Sequence, residues 1–408
     1  MSQRHPGSVG EVFWVFLRLG VTSFGGPIAH LGYFRDAFVV RRTWLSEKAY
    51  ADLVGLCQFL PGPASSQVGM ALGLQRAGYA GMLAAWTAFT LPSAIALTAF
   101  GYAVTHLGDI SGAGWIDGLK AAAVAVVAQA VLGMARSLTP DRRRATIAAA
   151  AAVTALLVTN ALTQVAVIVA TGLLGLVLLR DLVPARATDG TDDSDGTEGD
   201  DAPAFTVRAS RRVAVASLTA YAVLLVTLPV VATGGAARLF AIFFHAGALV
   251  FGGGHVVLPL LQAQVVTPGL VGHDDFLAGY GAAQAVPGPL FTFSAFLGTV
   301  TTGHPSGVVG AGIALVGIFL PAGLLVAGAL PFWQSLRHSP RAQRALMGVN
   351  AGVVGILAAA LYNPVFTEGI PSARALALAV AAFIALVQWR TPPWAVVVAA
   401  ALIGAAVL

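Results

Sequence analysis

The stretch VTSFGGPIAHLGYFR, at residues 21–35, interrupts an apolar segment that begins near Phe13. Inside a helix each glycine costs roughly 1 kcal/mol and a proline about 3 kcal/mol relative to alanine. A membrane helix with two glycines and a proline in succession is therefore expected to break here. Such a break needs a compensating role in the fold or in the function.

The composition of the chain is that of an integral membrane protein. Of its 408 residues, 57% are hydrophobic and 10% are charged, and the mean hydropathy is +0.81, values outside the range of soluble domains. Strand-like alternation of apolar and polar residues is absent, which disfavours a barrel, and we read no removable signal peptide. We predict an all-α polytopic helical bundle. Its thirteen apolar segments lie near 12–34, 49–73, 79–104, 118–136, 145–159, 161–179, 213–231, 239–261, 276–299, 307–331, 347–362, 373–388 and 393–408.

The two halves of the chain share a sequence repeat. FWVFLRLGVTSFGGPIAHL at 13–31 aligns without gaps with FAIFFHAGALVFGGGHVVL at 240–258, and seven of the nineteen positions are identical. Downstream, each copy carries a Pro-Gly-Pro triplet preceded by glutamine, QFLPGP at 58–63 and QAVPGP at 284–289. We predict an N-terminal repeat of six segments at 1–186, an acidic flexible linker at 187–210, an extra linking helix at 211–235 and a C-terminal repeat of six segments at 236–408.

The number of segments and the basic loops predict the topology. Seven segments precede the second repeat, so it should be inverted, as in many secondary transporters. A cytoplasmic N-terminus and an outside C-terminus place the basic clusters inside, except the one at 35–48. That exception disappears if the first two segments of each repeat re-enter, reversing at the Gly-Gly and Pro-Gly-Pro breaks; plain crossings are the alternative. The basic clusters lie at 35–48, 136–144, 180–212 and 337–344.

The four breaks form the candidate substrate site. A broken helix leaves free N–H groups and partial positive charge at the new N-terminus, which favours an anion. Gly25, Gly26, Gly252 and Gly253 are predicted to meet at the membrane midplane. Close packing and kinks, for which glycine and proline are also common in membrane helices, are the competing interpretation. The candidate substrate-binding residues are Arg18, Ser23, Phe24, Gly25, Gly26, Pro27, Gln58, Pro61, Gly62, Pro63, Ser65, Ser66, His245, Phe251, Gly252, Gly253, Gly254, His255, Gln284, Pro287, Gly288, Pro289 and Thr292.

Titratable residues within the apolar segments are the other candidates. Arg18 and its repeat partner His245 would supply positive potential, with a snorkelling arginine and a hydrogen-bonded core histidine as the alternatives. Lys120 and its repeat partner Asn350 are a secondary candidate pair of substrate-binding residues. The alternative is that Lys120 is an interfacial lysine without a role in binding. His30 is a weaker candidate.

No catalytic or cofactor motif accompanies these residues. The sequence contains no HExxH, P-loop, Ser-His-Asp or paired-carboxylate arrangement, so we predict neither an enzyme nor a cofactor. A single cysteine, Cys57, excludes an intrachain disulfide and a cysteine-based metal site. The basic clusters lack interleaved aromatic residues, so nucleic-acid binding is not expected.

The paired motifs resemble the long-chain, two-domain members of the chromate ion transporter family. They are FLRLGVTSFGGPIAHLGYFR at 16–35, FGGGHVVLPLL at 251–261 and the two Pro-Gly-Pro motifs, and the resemblance covers roughly 12–180 and 239–390. It implies export of chromate across the cytoplasmic membrane, conferring chromate resistance, with sulfate as a close analogue. The membrane potential or a proton gradient would drive it. Uptake or exchange of sulfate or another oxyanion, an anion channel and an intramembrane enzyme are the alternatives. The expected partners are the oxyanion, protons and the lipid bilayer, and a homodimer is left open.

Overall fold

A computed structural model describes residues 7–24, 26–106, 114–158, 161–182, 210–251, 257–303, 305–332 and 339–408. Helices and short connections make up these residues, without a strand, and the predicted all-α membrane bundle is confirmed. The acidic linker predicted at 187–210 lies almost wholly outside the described residues. Among the described residues, five helices are long and apolar enough to cross a bilayer: Ala64–His106, Gly114–Leu138, Arg211–Val231, Gly307–Phe332 and Pro340–Gly369.

The helices of the first half come in a fixed order up to the linking helix. The π-helical turn Asp36–Val40 continues α2, and the 3₁₀ turn Arg180–Leu182 follows α7. The helices are α1 (Val9–Thr22), α2 (Gly26–Arg35), α3 (Glu47–Phe59), α4 (Ala64–His106), α5 (Gly114–Leu138), α6 (Arg142–Leu157), α7 (Ala161–Leu178) and the linking helix α8 (Arg211–Val231).

The second half presents the same order of elements. Gln262–Val266 is a π-helical turn after α10, and Leu290–Thr292 is a 3₁₀ turn before α12. The π-helical turns and the helices α3 and α11 recur at a constant spacing of 226 residues. The helices are α9 (Gly235–Leu249), α10 (Val257–Leu261), α11 (His273–Ala285), α12 (Phe293–Val300), α13 (Gly307–Ala329), α14 (Pro340–Ala360), α15 (Ala373–Val387) and α16 (Pro393–Val407). Short turns at Leu330–Phe332, Leu361–Phe366 and Thr367–Gly369 join α13, α14 and α15.

Helix α4 contains a sharp kink at Ala77 and Gly78. Gly78 has φ +68°, a left-handed conformation that favours glycine. The kink brings Gly73 against Gly81 so closely that a Cβ on either residue would strike the carbonyl oxygen of the other. Gly298 and Gly310 make the equivalent contact in the second half. Glycine is therefore needed on both sides of the kink in α4 and on both sides of the turn between α12 and α13.

In the first half, helices α1 and α2 form one hairpin, and α3 and the first part of α4 form a second. Each hairpin returns to the end of the bundle from which it starts. Arg76, which closes the first part of α4, pairs with Glu11 near the start of α1 at 3.0 Å. Its guanidinium also lies 4.8 Å from the ring centroid of Trp44, in the loop before α3. The start of α1, the loop before α3 and residue 76 therefore share one end, called here the Arg76 end. This is the arrangement expected of re-entrant segments.

The hairpins of the second half start from the opposite end. Thr302 donates its N–H to the carbonyl of Leu270 at 2.9 Å, so the loops that follow α10 and α12 meet. Beside them, Val308 donates its N–H to the hydroxyl of Tyr102 at 3.1 Å. Tyr102 lies near the far end of the second part of α4, which at about 1.5 Å per residue is roughly 40 Å long. The two halves are thus inverted relative to each other, and this opposite end is called the Tyr102 end.

The last three helices of each half interlock with those of the other half. Helix α5 packs on α15 and α16, and α14 packs on α6 and α7. Gly118 touches the carbonyl of Ala400, and Gly348 touches that of Thr171, both too closely for a side chain. Small residues that allow such close approach are a common device of helix packing in membranes. The core that results is continuous across both halves.

Candidate functional site

The broken helix of each half meets the Pro-Gly-Pro loop of the other half. Gly62 donates its N–H to the carbonyl of Val250, which ends α9, at 2.7 Å. Gly288 donates to the carbonyl of Ser23, which ends α1, at 2.9 Å. These bonds help to satisfy the carbonyls at the ends of the broken helices. Four interruptions that are far apart in the sequence therefore form one central cluster.

The long helices α4 and α13 enclose this cluster at their midpoints. A Cβ on Gly288 would lie 3.2 Å from the carbonyl oxygen of Phe89 and would strike the hydroxyl of Ser93. A Cβ on Gly62 would lie 3.4 Å from the Cβ of Ala322. Ser93 donates its hydroxyl to the carbonyl of Pro287. Both glycines also have positive φ, +119° at Gly62 and +95° at Gly288. These positions therefore demand glycine for conformation and for space.

His30 bridges α2, the α1 break and the start of α4. Its Nε2 lies 3.2 Å from the carbonyl oxygen of Ser23 and its Nδ1 lies 3.3 Å from Oγ of Ser65. A carbonyl can only accept, so Nε2 carries the proton and Nδ1 accepts from the Ser65 hydroxyl. The ring is fully buried, edge-on to Phe89 at 5.3 Å. The sequence makes His30 only a weaker candidate, and the structure places it in the central cluster.

The N-terminus of α4 offers hydrogen-bond donors that are not used. Ser66, in the first turn of this helix, and Ser23, beside it, are buried, and their hydroxyls have no partner among the residues that the structure describes. Gln67 is anchored by its Nε2, which donates to the carbonyl of Pro61 at 2.7 Å. Buried hydroxyls are normally hydrogen-bonded, and a helix N-terminus carries partial positive charge. This arrangement is chemically suited to an oxyanion.

The second half contributes a smaller set of buried polar groups. Thr292 donates its hydroxyl to the carbonyl of Pro289 at 2.6 Å, which closes the turn after the Pro-Gly-Pro loop. Gln284 Nε2 and Ser294 Oγ are buried without a partner in the described part of the chain. Their counterparts in the first half are Gln58, which is exposed on α3, and the apolar Val68 of α4. Polar donors therefore approach the cluster from both halves.

The two cationic candidates lie outside this cluster of breaks. Arg18 is exposed, on the face of α1 opposite to Phe16 and Gly20, which pack against α4. His245 is half-buried and its Nε2 lies 3.0 Å from the carbonyl of Leu225 in α8. The structure thus brings neither residue to the α4 N-terminus.

The remaining candidates fall in three groups. Gln58 is exposed on α3, while Phe24, Phe251 and Pro27 are half-buried, and the ring of Phe24 lies 5.6 Å from that of Trp394. Gly26 has φ +76° and open space around it. The candidates that lie outside the described residues are Gly25, Gly252, Gly253, Gly254 and His255.

Lys120 takes part in an ion-pair cluster that joins the two halves. It is 4% exposed, and its Nζ lies 2.6 Å from Asp274 of α11 and 3.2 Å from Asp117 of its own helix. All three residues lie near the Tyr102 end. Its repeat partner Asn350 has a buried Oδ1 without a partner among the described residues.

Comparison with known proteins agrees with this architecture. The chain matches the chromate transporter family over residues 10–176 and 237–405. A chromate transport protein of Pseudomonas aeruginosa is 29% identical over 376 residues, which cover 90% of this chain and 84% of that protein. A probable chromate transport protein of Synechococcus elongatus is 27% identical over 370 residues, covering 88% and 85%. A chromate transport protein of Cupriavidus metallidurans is 26% identical over 359 residues, covering 86% and 81%. No solved structure matches the chain. The family match spans both inverted halves and their four breaks, and the chain belongs to the chromate transporter family.

Proposed function

We propose that the protein is a secondary transporter, not an enzyme, that exports chromate across the cytoplasmic membrane and thereby confers chromate resistance. The observation that carries this proposal is the N-terminus of α4, where the buried hydroxyls of Ser23 and Ser66 lack partners. Family membership and the names of the relatives point to chromate. A tetrahedral dianion offers oxygen acceptors in several directions, which suits converging hydroxyl and amide donors.

The proposed binding mode uses neutral donors. Ser66, Ser23 and the free N–H groups of the first turn of α4 donate to the oxyanion, and the partial charge of the helix end favours it. The Ser65 hydroxyl turns from His30 toward the ligand when the ligand binds. Neutral donors weaken the hold on a dianion compared with arginine or lysine, which allows release on the other side.

The membrane potential is sufficient to drive export. A dianion that leaves a cell with a negative interior gains about 2.3 kcal/mol per charge per 100 mV, or roughly 4.6 kcal/mol. That free energy corresponds to about three decades of concentration. A proton gradient is the alternative source. The same driving force opposes uptake of a dianion, which would need co-transported protons.

The proposed orientation places the Arg76 end in the cytoplasm. Most basic loop residues, including the clusters near Arg41, Arg143 and Arg341, lie at that end. The N-terminal residue of the described chain, Gly7, bonds to Arg76 there, whereas Leu408 lies beside Gly114 at the Tyr102 end. Gly7 and Leu408 are thus on opposite sides of the membrane in this orientation, with Leu408 outside.

Transport in membrane vesicles tests the proposal. Inside-out vesicles that contain the protein should take up radiolabelled chromate when an inside-positive potential is imposed, and an ionophore that collapses the potential should stop uptake. Sulfate added outside should compete only if it shares the site. Absence of potential-dependent chromate uptake, with sulfate uptake retained in right-side-out vesicles, would instead identify an importer or exchanger of sulfate.

A further inference from the structure

Helices α3 and α11 are counterparts in the two halves, but their environments differ. On α3, Ala51, Gly55 and Gln58 are exposed. Their counterparts on α11, Leu277, Gly281 and Gln284, are all buried, with Leu277 1% and Gln284 9% exposed. The same helix face is therefore covered in one half and open in the other.

Helix α5 covers the face of α11. A Cβ placed on Gly281 would lie 2.8 Å from the carbonyl oxygen and 3.3 Å from the Cβ of Leu119. One residue further along α5, Lys120 pairs with Asp274. These contacts close the molecule between its two halves at the Tyr102 end.

The helix that corresponds to α5 does not cover α3. In α14 the counterpart of Leu119 is Val349, whose side chain packs 3.0 Å from the Cβ position of Gly172 in α7. The next residue, Asn350, has its buried Oδ1 without a partner in the described structure. The contact that closes the Tyr102 end is thus not repeated at the Arg76 end.

The open face of α3 has a composition suited to water and unsuited to lipid. Glu47, Ala51, Gly55 and Gln58 follow one another at spacings of four, four and three residues, which puts them on one side of the helix. Faces that are exposed to lipid should be apolar, as on α8, where Val223, Val226 and Val230 are 51–75% exposed. The α3 face ends three residues before the Pro-Gly-Pro loop and so leads to the central cluster. Non-apolar surface at this depth is expected where it lines a water-filled cavity.

We infer that the structure is open at the Arg76 end, and that the Ala51, Gly55 and Gln58 face of α3 lines the route by which an oxyanion reaches the central cluster. During transport each half then adopts the packing now seen in the other half. Helix α3 packs against α14, while α11 moves away from α5 and the Lys120–Asp274 ion pair separates. The route follows from the exposure and the composition of the α3 face, and its use by chromate rests on the proposed function. The repeat supplies the second state, because each half can adopt the packing seen in the other.

Thiol labelling tests the route without any substrate. In a background in which the buried Cys57 is replaced by alanine, Gln58→Cys and Gln284→Cys place the same new residue at equivalent positions. An impermeant maleimide should label the first from the membrane face that also labels Arg41→Cys, a marker of the Arg76 end, and should label the second far less. Equal labelling of the two, or labelling of Gln58→Cys from the face that labels Thr302→Cys, would overturn the inference.

Cross-linking tests the exchange. Leu119→Cys with Gly281→Cys should form a disulfide on oxidation and abolish transport, which a reductant should restore. The matched pair Val349→Cys with Gly55→Cys should cross-link substantially only when substrate and potential are supplied. Undiminished transport by the oxidised first pair, or no cross-link of the second pair during turnover, would overturn the exchange. Absence of chromate transport by the unmodified protein would reject the proposed function. It would not affect the labelling test of the route, which uses no substrate.

Discussion

Gly62 donates its backbone N–H to the carbonyl oxygen of Val250, 2.7 Å away, and joins the Pro-Gly-Pro loop of one half to the broken helix of the other. Gly288 and Ser23 repeat this relationship with the halves exchanged. The free N–H of a loop in one half is thereby paired with the free carbonyl of a broken helix in the other half. The breaks also hold the end of one helix against the start of another at the centre of the bundle.

Substitution of the loop glycines should show which of the two loops is more tightly enclosed. We expect Gly288→Ala to be worse than Gly62→Ala. A Cβ on Gly288 would strike the Ser93 hydroxyl and lie 3.2 Å from the backbone carbonyl oxygen of Phe89, whereas a Cβ on Gly62 would meet only side-chain atoms, Nε2 of Gln67 at 3.0 Å and Cβ of Ala322 at 3.4 Å. Backbone strain at positive φ adds about 1–3 kcal/mol in both variants. Thermal unfolding in detergent measures the difference. Gly133→Ala is the control, since its Cβ meets nothing within 4 Å, and it should melt no lower than the parent.

His30 should tolerate glutamine better than leucine. The glutamine amide can donate to the Ser23 carbonyl and accept from Ser65, whereas leucine leaves both groups buried without a partner. Each unsatisfied buried group costs about 1–3 kcal/mol. We expect His30→Leu to melt well below His30→Gln. Equal melting temperatures for the two variants would contradict the bridging role.

Removal of the unused hydroxyls should change substrate affinity more than stability. Ser66→Ala and Ser23→Ala break no hydrogen bond among the described residues, so their melting temperatures should stay near that of the parent. A hydrogen bond to a charged ligand contributes about 1.5–3 kcal/mol, so each variant should raise the KM for chromate roughly 10- to 100-fold. Exposed Ser137→Ala is the control. An unchanged KM in both buried variants would remove the α4 N-terminus from the site.

Arg18→Gln and His245→Gln should affect chromate KM less than Ser66→Ala does. Arg18 lies on the exposed face of α1, and His245 is directed toward Leu225 of α8. Vesicle transport at several chromate concentrations separates KM from the maximal rate. A larger rise in KM for Arg18→Gln than for Ser66→Ala would return the arginine to the substrate site.

Breaking the Lys120 cluster should destabilise the closed contact at the Tyr102 end. Lys120→Met leaves Asp117 and Asp274 without their cation, and since Asp274 is 45% exposed on its side chain, we expect a cost of only about 1–3 kcal/mol. The double variant Lys120→Met with Asp274→Asn should recover part of this loss. Thermal melting of the single and double variants checks the expectation. Failure of the second substitution to recover any stability would argue against direct coupling.

The repeat and the positions of the four breaks could be predicted because glycine and proline act locally, on the backbone of their own segment. The sequence makes His30 only a weaker candidate; its repeat counterpart, Val257, is apolar, so the repeat gives no signal for a polar residue at this position. The placement of Arg18 had an available signal: Phe16 and Gly20 are identical in both repeats and define the packed face, which leaves residue 18 opposite. The pairing of Gly62 with Val250 depends on the tertiary approach of two halves, and no local pattern encodes it.

The interlocking of α5 with α15 and α16 has a consequence for biosynthesis. The grooves beside Gly114 and Gly118 are filled by Gly404 and Ala400, residues near the very end of the chain. When α5 enters the bilayer, its partners have not yet been translated. The packing of α5 against its partners can therefore be completed only after α16 has been synthesised and inserted.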